Sequence, residues 1–185
     1  PLTVGLLGAG RIGKVHAAAI AATPGAALRA VADPFATSAE EIGTEYGADV
    51  RTIDEIMDDP DIAAVFITSP TDLHCDQIEQ AAHAGKHIFC EKPIDLSVAR
   101  VRACLDVVEQ TGALLMVGFN RRFDPSFAEV RDRVQAGAIG DVEMVTIISR
   151  DPAPPPLSYM ERSGGLFRDM TIHDFDMARF LLGEE

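Results

Sequence analysis

Residues 8–13 read Gly-Ala-Gly-Arg-Ile-Gly, between the apolar run 2–7 and a stretch in which Ile12, Val15, His16, Ala19 and Ile20 recur at helical spacing. A glycine-rich turn joining a buried strand to a helix restricts the fold of a chain severely, because each glycine answers a different steric demand. Gly8 makes the tight turn, Gly10 lets a pyrophosphate approach the backbone, and Gly13 lets helix and strand pack closely. The helix start adds free N–H groups and the positive end of a dipole. Such turns are common, and the pattern gains force from Asp33, which ends the next apolar run 20 residues after Gly13. At that spacing a carboxylate takes the ribose hydroxyls of a dinucleotide. It also repels a 2′-phosphate, and Pro34 follows with no arginine close by, so NAD is expected rather than NADP. The competing reading is that Asp33 caps the next helix or simply ends a strand.

Nearly unbroken apolar runs recur at 27–32, 63–68, 87–90 and 114–117, the pattern of strands buried on both faces. Amphipathic stretches separate them; one sets Val98, Val101, Leu105 and Val108 on a single stripe behind a capping Ser97. Right-handed crossovers assemble these pieces into an α/β fold, a doubly wound parallel (Rossmann) sheet over residues 1–120. Across 121–185 the pattern changes. A helix is expected over 127–135, a strand with one solvated face over 142–148, an irregular loop over 151–157 with four prolines, and a helix from about 171 to 182 stopped by Gly183. One strand cannot make a stable sheet. This region is therefore expected to be the N-terminal part of an incomplete second domain, in a natural chain that continues past Glu185.

Lys and Arg total 16 against 29 Asp and Glu, a net charge of −13. Such a surface repels phosphate backbones and anionic lipid, so neither nucleic acid nor a membrane is an expected partner. No apolar run approaches the roughly 18 residues of a membrane span. Cys75, Cys90 and Cys104 are odd in number and far apart, which fits a reducing cytoplasm better than a disulfide framework or a zinc site. Met57, Met116 and Met144 read as core filler.

Two further groups carry candidate chemistry. Cys90-Glu91-Lys92-Pro93 follows a strand directly, so Lys92 projects from a carboxyl end of the sheet, where ligands bind in open α/β folds. Taken alone, a lysine there is more often a solvated surface group. Asp169, His173 and Asp176 are spaced 4 and 3 apart and share one face if their helix begins near Asp169. A histidine with a carboxylate one turn away suits acid–base work, and the same spacing serves equally as a salt bridge or cap. No cysteine or second histidine stands near enough to make Asp-x3-His a metal site, and no metal is expected. His16 reads as a packing or hydrogen-bonding group near the glycine turn. His74 either approaches the cofactor or caps the next helix.

In order along the chain, the glycine-rich start, Thr68-Ser69-Pro70-Thr71 followed by His74, Glu91-Lys92-Pro93, Gly118-Phe119-Asn120-Arg121-Arg122-Phe123 and Gly164 through Asp176 resemble the Gfo/Idh/MocA oxidoreductases. The resemblance covers essentially the whole chain. Ser149-Arg150-Asp151-Pro152, leading through the proline-rich loop into Ser163-Gly164-Gly165, is most similar to the inositol 2-dehydrogenases of that family. It implies a catalytic set of Lys92, Asp169 and His173. His173 would be the base that takes the substrate hydroxyl proton, Asp169 would hold the imidazole and substrate, and Lys92 would anchor the reacting oxygen. It implies cofactor contacts from Gly8, Gly10, Arg11, Ile12 and Gly13, from Asp33, from Ser69, Pro70 and His74, and from Glu91, Lys92 and Arg121. Asn120 becomes a substrate contact and Asp176 a supporting residue behind His173, whereas Arg122 is expected to pair only with surface acids. The implied second domain is α+β with an open, mainly antiparallel sheet whose outer face makes contacts in a homo-oligomer, tetramer or dimer, when full length. The implied reaction is NAD-dependent oxidation of a ring secondary alcohol, with myo-inositol to scyllo-inosose the best single choice and another sugar or polyol the alternative; the 185-residue chain alone is expected to turn over little. A non-catalytic NAD-binding sensor would keep Gly8, Gly10, Gly13 and Asp33 without needing Lys92, Asp169 and His173 together.

Overall fold

In the computed structural model, which describes residues 1–150, 153–155, 157–160 and 163–183, the chain divides into two units, Pro1–Gly118 and Phe119–Glu185. The first unit holds strands β1 (Leu2–Leu7), β2 (Ala26–Ala32), β3 (Asp49–Val50), β4 (Ala64–Ile67), β5 (His87–Cys90) and β6 (Leu115–Val117), all paired in parallel in the order β3-β2-β1-β4-β5-β6. Between them run helices α1 (Arg11–Ala22), α2 (Ala36–Tyr46), α3 (Ile53–Asp58), α4 (His74–His83) and α5 (Val98–Thr111). The strand order reverses between β1 and β4, where connections leave for opposite faces and open a crevice at the carboxyl ends.

Alternation along the strands decides which helices cover which face. Val4, Leu6 and Val31 point to one side with Ala17 and Ile20 of α1 and Ala39 and Ile42 of α2. Leu7, Val65, Ile67 and Ile88 meet Ile56 of α3, Ile78 of α4, and Cys104 and Val108 of α5 on the other. Each fully buried aliphatic side chain contributes about 1.5–3 kcal/mol. The buried stripe of α1 is Gly13, Ala17 and Ile20, while Val15 is 55% exposed. In α5 it is Cys104 and Val108, while Val98 and Leu105 face solvent. The stripes expected from bulky residues are thus rotated, because small side chains allow the closer approach of helix to sheet. Met57 is core as expected, but Met116 and Met144 are exposed. All three cysteines are buried free thiols, and burial pushes the Cys75 thiol up to about 12.

The second unit contains a 3₁₀ turn at Asn120–Phe123 and helices α6 (Pro125–Gln135), α7 (Leu157–Met160), α8 (Leu166–Asp169) and α9 (Ile172–Leu182). Asp124 caps α6 by accepting from the Ser126 and Phe127 N–H groups, with Pro125 in the first turn. Gly183, at φ +76°, ends α9 in the left-handed region as anticipated. Residues 142–148 form no strand, contrary to the sequence reading: a ladder needs a partner, and no strand is present among the described residues of this unit. Of the expected loop, residues 153–155 are irregular and Leu157 already opens α7, while 151, 152 and 156 lie outside the described residues. Only Asp176 and Met177 are buried among the described residues here, so ion pairs and ring contacts do much of the holding. Among the described residues, no helix is long and apolar enough to cross a membrane.

Candidate functional site

The turn after β1 has the geometry its sequence demands. Gly8 lies at φ +100°, and a Cβ there would sit 2.7 Å from the Ser69 backbone nitrogen. At Gly13 a Cβ would meet the Gly8 carbonyl oxygen at 2.1 Å, so only glycine lets α1 start this close to β1. Thr68 fixes the same turn from β4, its hydroxyl donating to the Leu7 and Gly8 carbonyls at 3.0 and 2.8 Å. Gly10 is different: it is exposed, and a Cβ there would meet nothing within 4 Å. It stands at the start of α1, which has no side-chain cap and no acidic residue in its first turn. The first N–H groups of a 12-residue helix therefore face open space beside exposed Arg11 and half-buried Ile12, a cradle suited to a diphosphate.

Asp33 stands beside this cradle. Its Oδ2 accepts from the Ala9 N–H at 2.7 Å and its Oδ1 from the Phe35 N–H at 2.8 Å. The carboxylate thus braces the glycine turn and starts the loop into α2, so the local role weighed in the sequence is real, and each oxygen retains a second lone pair for a ribose hydroxyl. Half-buried Ser69 and exposed Pro70 follow β4 on the other side of the crevice. The Ser69 hydroxyl donates to Gln77 Oε1 at 2.6 Å.

His74 does not reach this space. It is 1% exposed, with Nδ1 2.8 Å from the Pro93 carbonyl and Nε2 2.8 Å from the Ser69 carbonyl. Burial at the start of α4 turns the ring to the framework, where both nitrogens meet backbone carbonyls. Glu91 also turns inward. Its Oε1 accepts from His16 Nε2 at 2.7 Å and its Oε2 from the Lys92 N–H at 3.2 Å. Burial raises the Glu91 carboxyl, but the hydrogen bond and charge of His16, with the Lys92 amide and charge, outweigh it and hold the group below the ordinary carboxylate range. His16 has the hydrogen-bonding role anticipated for it. Lys92 is half-buried at the carboxyl end of β5, and the Lys92–Pro93 bond is cis.

In the second unit Asp169 ends α8, whereas His173 and Asp176 lie on α9. The three do not share one helix, because the chain breaks its helical run at Met170 and Thr171. Asp169 and His173 are both half-buried. Asp176 is 7% exposed and takes Arg122 in a fork, with Nε at 3.0 Å from both oxygens and Nη2 at 2.7 Å. It therefore binds Arg122, which has a buried partner instead of the surface acids expected. Phe180 lies beneath the Arg122 and Arg131 guanidinium groups at 5.4 and 4.7 Å. Arg121 donates to Asp174 at 2.5 Å and to Ser149 at 3.2 Å. Burial raises the Asp174 carboxyl, and bonds from Ser149 and Arg121 reverse this and lower it. Asn120 is exposed. Thr68, Ser149 and Asp174 all fall inside motifs quoted from the sequence, but none of the three is given a role of its own there.

Residues 2–119 match the pattern described as "Oxidoreductase family, NAD-binding Rossmann fold", and residues 127–185 match the GFO/IDH/MocA C-terminal domain. The inositol 2-dehydrogenase of Rhizobium meliloti (strain 1021) is 66% identical over 181 residues, 98% of this chain and 55% of that protein. The crystal structure of a myo-inositol dehydrogenase from Corynebacterium glutamicum ATCC 13032 superposes with a TM-score of 0.92 at 50% identity, covering 97% of this chain and 54% of that one. That of the scyllo-inositol dehydrogenase from Lactobacillus casei, with bound NAD(H) and scyllo-inositol, gives 0.82 at 34% identity, covering 98% and 56%. The chain spans about half the length of these relatives. By the two matched patterns and by these relatives, the chain belongs to the Gfo/Idh/MocA family of oxidoreductases.

Proposed function

We propose that this chain carries the dinucleotide-binding half, and the first part of the substrate domain, of an NAD-dependent dehydrogenase that oxidises a ring secondary alcohol to a ketone, with myo-inositol as substrate and scyllo-inosose as product. The observation that carries the reading is the open, uncapped start of α1 at Gly10, with Asp33 braced beside it. These groups fit NAD: the α1 N–H groups at Gly10, Arg11 and Ile12 take the pyrophosphate, Asp33 takes the ribose hydroxyls and disfavours a 2′-phosphate, and Ser69 and Pro70 border the crevice. The 66% identical inositol 2-dehydrogenase supports the polyol class. When bound, NAD supplies the acceptor for hydride. In this assignment His173 takes the hydroxyl proton, Asp169 orients the imidazole and a substrate hydroxyl, and Lys92 donates to the reacting oxygen and favours negative charge developing there. Asn120 is assigned a substrate contact and Arg121 a cofactor contact. The proposal places the enzyme in the cytoplasm as a homo-oligomer, acting on a small polyol with no nucleic acid or membrane partner.

The test is NADH formation by the full-length protein against a panel of inositols and sugars. Turnover of myo-inositol, with kcat lowered about 10²–10⁴-fold in His173→Ala and NAD affinity kept, is the expected result. NAD binding with no turnover of any polyol would make the protein a sensor and refute the assignment.

A further inference from the structure

The glycine turn and the Glu91-Lys92-Pro93 turn are joined by a chain of side chains that carries a role not yet given to any of them. His16 lies one and a half helical turns into α1, the helix that begins at the dinucleotide cradle. Its ring packs on Phe89 of β5 at 4.8 Å and edge-on against Phe66 of β4 at 5.7 Å, and those two rings stack at 4.7 Å. Its direction is therefore fixed, and Nε2 donates to Glu91 Oε1 at 2.7 Å. The other carboxylate oxygen accepts from the Lys92 backbone N–H at 3.2 Å. Gly118 makes room for this arrangement, since a Cβ there would stand 3.1 Å from Glu91 Oε2 and 3.2 Å from the Phe89 ring. On the far side of the turn, His74 holds the Pro93 carbonyl and ties it to Ser69.

We propose that Glu91, tethered to His16, is a positioning residue that fixes the Lys92 backbone, with His74 holding the turn from its other side, so that the placement of the lysine depends on the helix that starts at the cofactor cradle. The inference rests on the dehydrogenase reading above for the use made of Lys92, but the tether itself is a property of the first unit alone. The Glu91 side chain is only 16% exposed and both of its oxygens bond inward, so Glu91 acts through Lys92 and not by touching cofactor. A lysine displaced by about 1 Å at a reacting oxygen loses on the order of 10²-fold in rate.

The experiment compares Glu91→Ala, Glu91→Gln and His16→Phe in the same enzyme, reading kcat and KM, NAD affinity by calorimetry, and the Lys92 amide resonance by NMR. Glu91→Ala and His16→Phe should each lower kcat about ten- to hundredfold while the NAD Kd stays within about threefold. Glu91→Gln should restore most of the rate, because its oxygen still accepts from Lys92 and its amide can donate to the His16 ring. A rise in NAD Kd larger than the loss in kcat would make Glu91 a direct cofactor contact and overturn the proposal; so would an unchanged kcat in Glu91→Ala. If Glu91→Ala does not fold, His16→Phe carries the same test, since it keeps both Glu91 and the stacked rings. If the wild type turns over no polyol, the dehydrogenase reading fails by itself. The tether is then judged by the Lys92 amide, which should move upfield in Glu91→Ala and stay near its wild-type position in Glu91→Gln, and an unmoved resonance in Glu91→Ala refutes it.

Discussion

The three glycines of the first turn can be separated by experiment, because a methyl group meets a different obstacle at each. At Gly13 an added Cβ falls 2.1 Å from the Gly8 carbonyl oxygen and 3.1 Å from the Thr68 hydroxyl. The first obstacle is backbone, so α1 must move away from β1 by about 1 Å; overpacking of this kind costs roughly 1–3 kcal/mol. At Gly10 the Cβ meets nothing within 4 Å, and φ is −71°. There an alanine loses roughly 0.5–1 kcal/mol as a helix cap and recovers about 0.4–1 kcal/mol through a stiffer unfolded chain. Gly10→Ala should therefore leave the urea midpoint within about 0.5 kcal/mol of wild type, yet weaken NAD at least about tenfold, equal to 1.4 kcal/mol, because the methyl occupies the approach of the pyrophosphate. Gly13→Ala should show the reverse order, with a clear loss in urea and weaker binding only as a consequence. Urea denaturation followed by circular dichroism, and calorimetric titration with NAD, read the two quantities independently. Wild-type NAD affinity in Gly10→Ala would remove the pyrophosphate from the α1 start, and wild-type stability in Gly13→Ala would refute the close helix–strand packing.

Asp33→Ser should weaken NAD by an order of magnitude or more and improve NADP relative to it, since charged hydrogen bonds contribute about 1.5–3 kcal/mol. It should also destabilise the free protein, because the N–H of buried Ala9 loses its acceptor; unchanged affinity for both cofactors would take Asp33 out of the site. Asp176→Ala leaves Arg122 without its fork and should cost about 1–3 kcal/mol in urea denaturation, reduced from a fully buried pair because the Arg122 side chain is 28% exposed. The Glu91 carboxyl is lowered from 4.5 in the folded protein, so the stability it contributes is complete above that pH and disappears as pH falls through the lower folded value. Glu91→Gln, which does not titrate, should lose less stability over that acid range, and parallel pH profiles would show that Glu91 is not held low.

The parallel sheet was legible because strands buried on both faces leave unbroken apolar runs, and β1 and β5 fall where those runs do. What was missed has local causes. Strand β3 is two exposed residues, Asp49 and Val50, and carries no apolar run. Helix α3 is absent from the sequence reading although its start is spelled locally: Thr52 accepts from the Glu55 N–H while Glu55 accepts from the Thr52 N–H, the reciprocal box of a Ser/Thr-x-x-Glu pattern. On α1 and α5 the bulky residues do not mark the buried face, because Gly13, Ala17 and Cys104 do the packing. The cofactor cradle was readable, since its spacing is set by local turn geometry. The side-chain partnerships were not: His16 with Glu91, at 75 residues apart, and Arg122 with Asp176, at 54, are made by tertiary packing and leave no periodic trace.

The shortness of β3 matters beyond the fold. A strand at the border of a sheet offers unpaired N–H and C=O groups to any neighbouring chain. Here the β3 border is two residues long and carries the Arg51 guanidinium, bound at 2.6 Å to both Asp49 and Asp59. An incoming strand would find almost no ladder to extend and would have to dehydrate those charges. At the opposite border, Met116 of β6 and Leu114 just before the strand are exposed at 46% and 68%, and the three residues of β6 carry no charge. If copies of this chain polymerise edge to edge on heating, the growing contact should run through β6, and a lysine at position 116 should slow it where the same charge at position 50 would not.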